Sequence, residues 1–135
     1  MNDIQYKIAS QNEVLLLSDF FSSVYKKRFS ITELKWRYLC NPLQKGRVFN
    51  CIAIRNEKEI VGHTAFMKNQ FLINNEIFFG GLTLGSAVKR DYGGIFAPMY
   101  NFLEKNFINE FDFLYGYPNE NSTPFFIKLF NYEKI

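Results

Sequence analysis

The sequence has few of the residues that hold small disulfide-rich or metal-bound domains together. Its 135 residues include two cysteines, Cys40 and Cys51, and a single histidine, His63. The cysteines do not stand in a Cys-x-x-Cys spacing, which excludes a disulfide framework and a standard zinc site. We interpret both as reduced, partly buried cysteines of a cytoplasmic protein, and we expect no metal.

Long apolar runs are also missing. No run is longer than Val14 to Leu17, so no segment is predicted to cross or insert into a membrane. The first residues include Asp3 and no long apolar stretch, so we expect no signal peptide. The formal net charge is +3, from 16 basic and 13 acidic residues, and so small an excess does not favour a nucleic-acid partner.

Aromatic residues, by contrast, are abundant. Phenylalanine contributes 16 residues, and aromatic residues make up 19% of the chain. Disordered chains lack apolar surface of this kind, so the composition predicts a folded core. The length suits one domain, and we expect residues 1–135 to form it.

Hydrophobic periodicity predicts the element order β-α-α-β-β-β-α-β-α, an α/β (α+β) fold with antiparallel hairpins and one β-α-β crossover. The predicted strands are Ile4–Ala9, Val48–Arg55, Ile60–Met67 with a continuation at Phe71–Ile73, Ile77–Val88 and Phe111–Tyr117, with a turn at Asn74-Asn75. Glycines inside the fourth strand suggest a bulge or the close approach of another backbone or a ligand. The predicted helices run from Ser10 or Asn12, with Glu13 in the first turn, to about Tyr25, through Leu34–Leu39, over Ile95–Asn106 and over Ser122–Phe130. The fifth strand is almost continuously apolar, which is typical of a central strand.

The most informative segment lies between Leu82 and Phe96. Glycines interrupt the fourth strand, a basic loop with Gly93 and Gly94 follows, and a helix begins. Free amides and the helix dipole make such a junction suitable for a phosphate. The loop is neither a Walker A loop nor a dinucleotide fingerprint, because the spacings of both motifs are absent.

Five segments, in this order, resemble the GNAT superfamily of acyl-CoA-dependent N-acetyltransferases. They are Trp36-Arg-Tyr38 with Asn41-Pro42, Glu59-Ile-Val-Gly-His63, Ala87-Val88 with Asp91-Tyr92 and Gly94-Ile95-Phe96, Tyr115-Gly-Tyr-Pro-Asn119 with Ser122, and Lys128-Leu-Phe-Asn-Tyr132. The chain is most similar to bacterial members associated with surface-polysaccharide genes. The resemblance implies a mixed, mostly antiparallel central sheet flanked by helices.

The resemblance also implies an activity and a site. Acetyl-CoA, or another acyl-CoA, would donate its acyl group to a primary amine, such as that of an amino sugar. Arg90 matches the first arginine of the family's loop pattern, and an amide near Val88 would stabilise the oxyanion. The other implied contacts are main-chain groups of Ser86, Ala87 and Val88 with the pantetheine arm, amides of Gly93, Gly94, Ile95 and Phe96 with the pyrophosphate, and Asn119 and Ser122 on the far side of the arm.

The chain departs from the family pattern in three places. The phosphate loop is two residues shorter, and Phe126 or Ile127 stands where a tyrosine often protonates the leaving thiolate. The sequence stops at Ile135, where the family continues with two more strands. We therefore expect either a fragment or a homodimer that covers an open sheet edge. His63 is a structural residue or, less in keeping with its position beside Gly62, a catalytic base.

Two other functions compete with acyl transfer. The three departures favour a non-catalytic binding or interaction module with a GNAT-like shape. A PAS-like sensor also mixes short helices with an antiparallel sheet. The β-α-β crossover predicted from Ile77 to Tyr117 distinguishes the two folds, because a PAS domain lacks it at that place.

Overall fold

The computed structural model describes residues 3–118, 123–128 and 130–133, which form one five-stranded sheet in the order β1-β2-β3-β4-β5 with helices on both faces. The strands are β1 (Ile4–Ile8), β2 (Asn50–Arg55), β3 (Glu59–Ile73), β4 (Glu76–Val88) and β5 (Phe113–Tyr115). The helices are α1 (Gln11–Leu15), α2 (Leu17–Tyr25), α3 (Ile31–Leu34), α4 (Phe96–Phe107) and α5 (Thr123–Lys128). Neighbouring strands are antiparallel except β4 and β5, which are parallel and joined through α4. The predicted α/β class, mostly antiparallel sheet and β-α-β crossover are therefore confirmed.

Short polar turns set the register of the hairpins. Asn74 and Asn75 both have positive φ, and so do Asn56 and Glu57. Two consecutive residues of this kind give the turn whose twist matches that of the flanking strands. With the turn at Asn74 and Asn75, β3 and β4 pair from Ile73 and Glu76 back to Gly62 and Val88.

The first predicted helix is divided in two. Ser10 caps α1 through a reciprocal pair of hydrogen bonds with Glu13, as the Ser/Asn-then-Glu pattern indicated. Leu16 interrupts the helix, and α2 ends at Lys26, whose φ of 54° is left-handed. The second predicted helix is a single α turn, α3, capped by Ser30, followed by a π-helical turn at Lys35–Leu39.

The sheet is covered by two separate hydrophobic clusters. Side chains of α4, including Tyr100 and Phe107, pack with Phe49 and Phe66 on one face. Phe21 of α2 lies in the cluster on the other face, with residues of α1 and α3. Each fully buried large side chain stabilises the fold by about 1.5–3 kcal/mol. None of the described helices has the length and apolarity needed to cross a bilayer.

The prediction that the fifth strand is central is wrong for the described part of the chain. β5 has three residues rather than seven and lies at the edge, beside β4. Leu114 packs on the α4 cluster. The rings of Phe113 and Tyr115 contact the Phe71 ring at the opposite face, tilted in the first case and edge-on in the second. The run is apolar because both of its faces are covered, and that condition does not require a neighbour on each side.

Close packing explains two of the glycines in β4. A Cβ on Gly80 would lie 2.8 Å from the Phe113 and Phe71 rings, and a Cβ on Gly81 would lie 2.8 Å from Leu114. The aromatic side chains of β5 can approach β4 only because these positions carry no side chain. The close neighbours of these two glycines are thus side chains, and not the backbone or ligand that the sequence suggested.

Candidate functional site

β4 separates from β5 beyond the third pair of residues and leaves a cleft. Among the described residues, the parallel pairing covers Gly80–Leu82 of β4, and the rest of this edge has no strand beside it as far as Val88. On the opposite wall the chain leaves β5 at Gly116. The cleft has a volume of about 260 Å³, and its lining residues are Leu82, Thr83, Leu84, Gly85, Ser86, Gly116, Tyr117, Pro118 and Phe126. An open strand edge in a cleft can pair with an extended ligand.

A β-bulge shapes the β4 wall of this cleft. The register shifts between the pair His63–Ala87 and the pair Ala65–Leu84, so that Gly85 and Ser86 both lie opposite Thr64. Gly85 has a φ of +67°, which glycine adopts without the penalty paid by other residues. A hydrogen bond of 2.8 Å between the hydroxyls of Thr64 and Ser86 stabilises the bulge.

His63 holds the bulge from inside the sheet. Its Nδ1 lies 2.7 Å from the Gly85 carbonyl oxygen, and its Nε2 lies 2.9 Å from the Asn50 side-chain nitrogen. The neutral tautomer that donates from Nδ1 and accepts at Nε2 satisfies both contacts. Burial lowers the pKa of His63 to about 4, against the opposing effect of the Gly85 carbonyl. A fully buried imidazole with both nitrogens occupied is a structural residue and not an accessible base.

The free energy of unfolding is expected to fall as the pH drops below 6.5, because the unfolded state binds a proton at His63 more readily than the folded state. A folded pKa of about 4 against an ordinary value of 6.5 gives a loss of about 1.5 kcal/mol between pH 6.5 and pH 5. Urea unfolding at several pH values measures this loss. In the His63→Gln variant the dependence should flatten over that range, and equal slopes in both proteins would contradict the assignment.

The three β4 residues expected to meet a pantetheine arm differ in what they offer. The Lys89 amide donates a hydrogen bond of 2.8 Å to the carbonyl of Val61 in β3. Backbone groups alternate in direction along a strand, so Ala87 also faces β3, whereas Val88 faces the open edge. The Ser86 carbonyl accepts a hydrogen bond of 2.9 Å from the Tyr25 hydroxyl. Val88 therefore presents the open backbone groups at the end of β4.

The loop after β4 forms a compact double turn. The Tyr92 amide donates to Lys89, the Ile95 amide to Tyr92 and the Phe96 amide to Gly93. Because the Ile95 and Phe96 amides are used inside the turn, the open N–H groups of the expected set are those of Gly93 and Gly94, for which no partner exists among the described residues.

Gly93 and Gly94 lie at the start of α4 with free space beside them. A Cβ at either position would meet no atom within 4 Å. Packing therefore does not require glycine here, whereas close approach of a phosphate to the backbone would favour it. The positive end of the α4 dipole adds to the attraction for an anion.

Of the two basic side chains in this loop, one is neutralised by the protein. Lys89 Nζ lies 2.9 Å from a carboxylate oxygen of Glu59. Arg90 is exposed and makes no ion pair with any described residue. Arg90 is consequently the cation of the loop that remains available to a ligand.

Two tyrosines reach the bulge from the α1–α3 face. Tyr25 contacts Ser86, as described, and the Tyr38 hydroxyl lies so close to Gly85 that a Cβ there would be 2.3 Å away. Tyr38 is 3% exposed, and its hydroxyl has no hydrogen-bond partner in the described part of the chain. Burial raises the pKa of Tyr38, and the charge of Arg37 partly offsets the rise.

Asn119 and Ser122, expected on the far side of the arm, lie outside the described residues. Phe126 lines the cleft and Ile127 is exposed, so neither aligned position supplies a proton donor. Tyr117, which is 86% exposed, lies at the mouth of the cleft instead. It belongs to the segment Tyr115-Gly-Tyr-Pro-Asn119 quoted above, but the resemblance implied no role for it.

Besides Tyr117, Thr83 contributes a hydroxyl group to the wall of the cleft. Tyr132 contacts the Thr83 hydroxyl at 3.2 Å and also hydrogen-bonds Tyr100 of α4. These residues are far apart in sequence, so no local pattern predicts the chain of hydroxyls. Within the described ranges, no three His, Cys, Asp or Glu side chains are grouped to hold a metal ion.

Solved structures with the same arrangement are acetyltransferases in most of the cases compared. Glucosamine-6-phosphate N-acetyltransferase from Arabidopsis thaliana aligns over 98% of this chain and 94% of its own, with 11% identity and a TM-score of 0.72. A predicted acetyltransferase with acetyl-CoA from Clostridium acetobutylicum aligns over 98% and 92%, with 16% identity and a TM-score of 0.71. A transcriptional regulator from Bacillus halodurans aligns over 97% and 93%, with 10% identity and a TM-score of 0.69.

At the level of sequence, no protein-family model matches the chain, and a search of curated proteins finds no match. The identities to the solved structures are low, so the likeness is one of backbone arrangement. It extends along nearly the whole chain.

Proposed function

We propose that this chain, which has the GNAT fold, binds acetyl-CoA or another acyl-CoA along the open edge of β4 and transfers the acyl group to a primary amine. The observation that carries the proposal is the separation of β4 from β5 beyond Leu82, which leaves a cleft along the edge of β4, together with the open amides of Gly93 and Gly94 in the loop that follows this strand. Neither feature is needed for packing. Together they suit a long ligand with an extended arm and a phosphate end.

The phosphate end is assigned to the start of α4. The N–H groups of Gly93 and Gly94 would donate to pyrophosphate oxygens, with the exposed Arg90 side chain adding a positive charge. α4 runs for three turns and presents its positive end here. The amides of Ile95 and Phe96 support the turn that aims these two groups.

The extended arm is assigned to the end of β4. The N–H and C=O of Val88 face the open edge and would pair with amide groups of the arm, as an added strand does. Ser86 would form part of this wall from the bulge, and Ala87 would support it from behind, since its backbone faces β3 and its side chain is buried in the cluster on the α1–α3 face. Asn119 and Ser122 remain the predicted contacts from the opposite side.

Acyl transfer then requires little chemistry from side chains. The neutral amine attacks the thioester carbonyl, a C–N bond forms, the C–S bond breaks, and the thiolate leaves. The proton lost by the amine passes to water, and the thiolate gains one from water or from a donor at the cleft, where Tyr117 lies. A backbone amide of the bulge near Val88 would stabilise the oxyanion.

A binding module without transfer is the second candidate. Two observations favour it: only two of the four amides expected at the pyrophosphate are open in the described part of the chain, and the described lining of the cleft contains no carboxylate or imidazole. One structurally similar protein is described as a transcriptional regulator, so the fold also occurs under that description. In this alternative the chain binds an acyl-CoA and does not turn it over.

Incubation of the purified chain with acetyl-CoA and a panel of primary amines tests transfer. We expect amine-dependent release of the CoA thiol and an N-acetyl product of the matching mass. Reactions without amine measure hydrolysis and set the baseline. Acetyl-CoA binding without any acetylated amine would favour the binding module, and the absence of acetyl-CoA binding would remove both candidates.

A further inference from the structure

The α1–α3 face of the sheet carries a concentration of positive charge next to the bulge. Two of these cations converge on one aromatic ring: Lys27 Nζ lies 5.2 Å and Arg37 Cζ lies 5.1 Å from the centre of Phe29. Phe29 is buried and packs edge-on against Phe21. Both cations therefore contact a ring whose position is fixed by packing.

No protein carboxylate neutralises this pair. Within the described residues, neither Lys27 nor Arg37 has an acidic oxygen within 4 Å. Contact with a common ring places the two charges within roughly 10 Å, about one Debye length at 0.1 M salt, so they repel each other. Arg37 is also only half-exposed, which reduces its hydration. An anion bound between or beside them would relieve both costs.

The backbone around Arg37 is unusual as well. Lys35–Leu39 form a π-helical turn, closed by a hydrogen bond of 2.9 Å from the Cys40 amide to the Lys35 carbonyl. Such turns are rare and are found frequently at functional sites. The turn leaves Trp36 73% exposed, Arg37 half-buried and Tyr38 buried against Gly85. The turn thus places three successive side chains at increasing depth, with Trp36 at the surface, Arg37 half-buried and Tyr38 in the interior.

Arg37 lies beside the bulge and on the face opposite the proposed phosphate site. It directly precedes Tyr38 in the π-helical turn. The Tyr38 hydroxyl adjoins Gly85, and the Tyr25 hydroxyl donates to the Ser86 carbonyl. The charge of Arg37 also partly offsets the burial that raises the pKa of both tyrosines. α4 and its loop occupy the other face, so an acceptor would approach the cleft from the side that Arg37 borders.

We propose that the acceptor amine carries an anionic group, a carboxylate or a phosphate, and that Arg37 binds this group at the rim of the bulge with Lys27 adding charge. The planar guanidinium offers paired N–H donors that match either anion. This inference rests on the proposed acyl transfer, since only then is the ligand on this face an acceptor. The anion site itself can be tested without turnover.

Matched amines provide the first test. With saturating acetyl-CoA, kcat/KM should be at least about tenfold higher for phosphoethanolamine than for ethanolamine, or for 4-aminobutyrate than for 4-aminobutyramide, as expected for loss of a charged hydrogen bond. The pair with the larger ratio identifies phosphate or carboxylate. The ratio should fall as salt is added. Equal values within both pairs would overturn the proposal.

Variants assign the preference to a residue. Arg37→Met should lower kcat/KM for the anionic amine, mainly through KM, and leave the neutral amine unchanged, whereas Arg37→Lys should retain part of the preference. Arg28→Met is the matched control, because it removes one positive charge from the same surface. The Arg28 guanidinium lies 3.7 Å from the Asp19 carboxylate. If Arg28→Met had the same effect as Arg37→Met, the preference would come from the general field and not from the Arg37 site.

A binding measurement separates failure of this inference from failure of the proposed function. Inorganic phosphate or acetate is titrated into the labelled chain while the side-chain Nε–H signals of Arg37 and Arg28 are followed by NMR. We expect a saturable shift at Arg37 that exceeds the shift at Arg28, whether or not acetyl-CoA binds. A linear or equal response at the two arginines would contradict the anion site, and a saturable response without acetyl-CoA binding would contradict the acyltransferase alone.

Discussion

Replacement of Gly94 by aspartate is expected to abolish the thermal stabilisation of the chain by acetyl-CoA. A ligand at a hundred times its dissociation constant stabilises by about 2.7 kcal/mol, which for a domain of this size raises the melting temperature by roughly 10 °C. The aspartate carboxylate would stand beside the amides assigned to the pyrophosphate and repel it. Thermal unfolding with and without acetyl-CoA measures the effect.

The substitution is suited to this purpose because the fold tolerates it. A Cβ at Gly94 meets no atom within 4 Å, and an acidic residue at the start of α4 interacts favourably with the helix dipole. The unliganded melting temperature should therefore remain close to that of the parent chain. Gly94→Asn is the matched control, with the same size and no charge, and should keep most of the shift. An undiminished shift in Gly94→Asp would show that the loop does not hold the phosphates.

Gly85→Ala is expected to have the largest effect on stability among single methyl additions to β4 near the cleft. At a φ of +67° a non-glycine residue pays a backbone cost, and the new Cβ would lie 2.3 Å from the Tyr38 hydroxyl. The combined cost should be about 2–4 kcal/mol in the free energy of unfolding, which urea titration measures. Acyl transfer should fall as well, since Gly85 forms part of the cleft wall.

Tyr38→Phe separates the two causes. Alone, it removes a buried hydroxyl that has no partner in the described chain, so its effect on stability should be close to zero or slightly favourable. In combination with Gly85→Ala it should recover about 1–2 kcal/mol, because the closest contact disappears while the backbone cost and the contact with His63 at 3.1 Å remain. Strictly additive effects of the two substitutions would contradict the contact.

The sequence predicted those parts of the fold that depend on neighbouring residues. The paired asparagines at Asn74 and Asn75 predicted the β3–β4 turn, and Ser10 with Glu13 predicted the start of α1. The glycines of β4 predicted a bulge, and one occurs at Gly85, whereas the close contacts at Gly80 come from side chains and not from a backbone or a ligand. Each of these signals acts within a few residues, which is why local pattern was sufficient.

Features that depend on distant residues were not predicted. The Tyr25 hydroxyl bonds Ser86, 61 positions away, and Thr83 meets Tyr132, 49 positions away. Hydrophobic spacing predicts an ordinary helix at Lys35–Leu39, since one extra residue in a single turn hardly changes the spacing of apolar residues. An apolar run predicts a central position for β5, because the run reflects how much of the strand is covered and not which element covers it.

The segment that carries the candidate site has the local structure that the sequence predicts. The strand, the basic glycine loop and the helix lie as expected from Leu82 to Phe96, and the likeness to solved acetyltransferases confirms the fold in which they are set. Within that segment the structure distinguishes the open amides of Gly93 and Gly94 from those used in the turn. Hydrogen-bond direction decides this, and residue type alone does not contain it.

The proposed function depends most on the binding of an acyl-CoA along the open edge of β4 with its phosphates at the start of α4. Titration of the isotope-labelled chain with acetyl-CoA, followed by the backbone amide signals in NMR, measures this binding residue by residue. We expect saturable shifts that are largest at Val88, Gly93 and Gly94, with smaller changes at Ala87, whose backbone faces β3. Shifts confined to α1–α3, or no saturable shift at Gly93 and Gly94 in the folded chain, would contradict it.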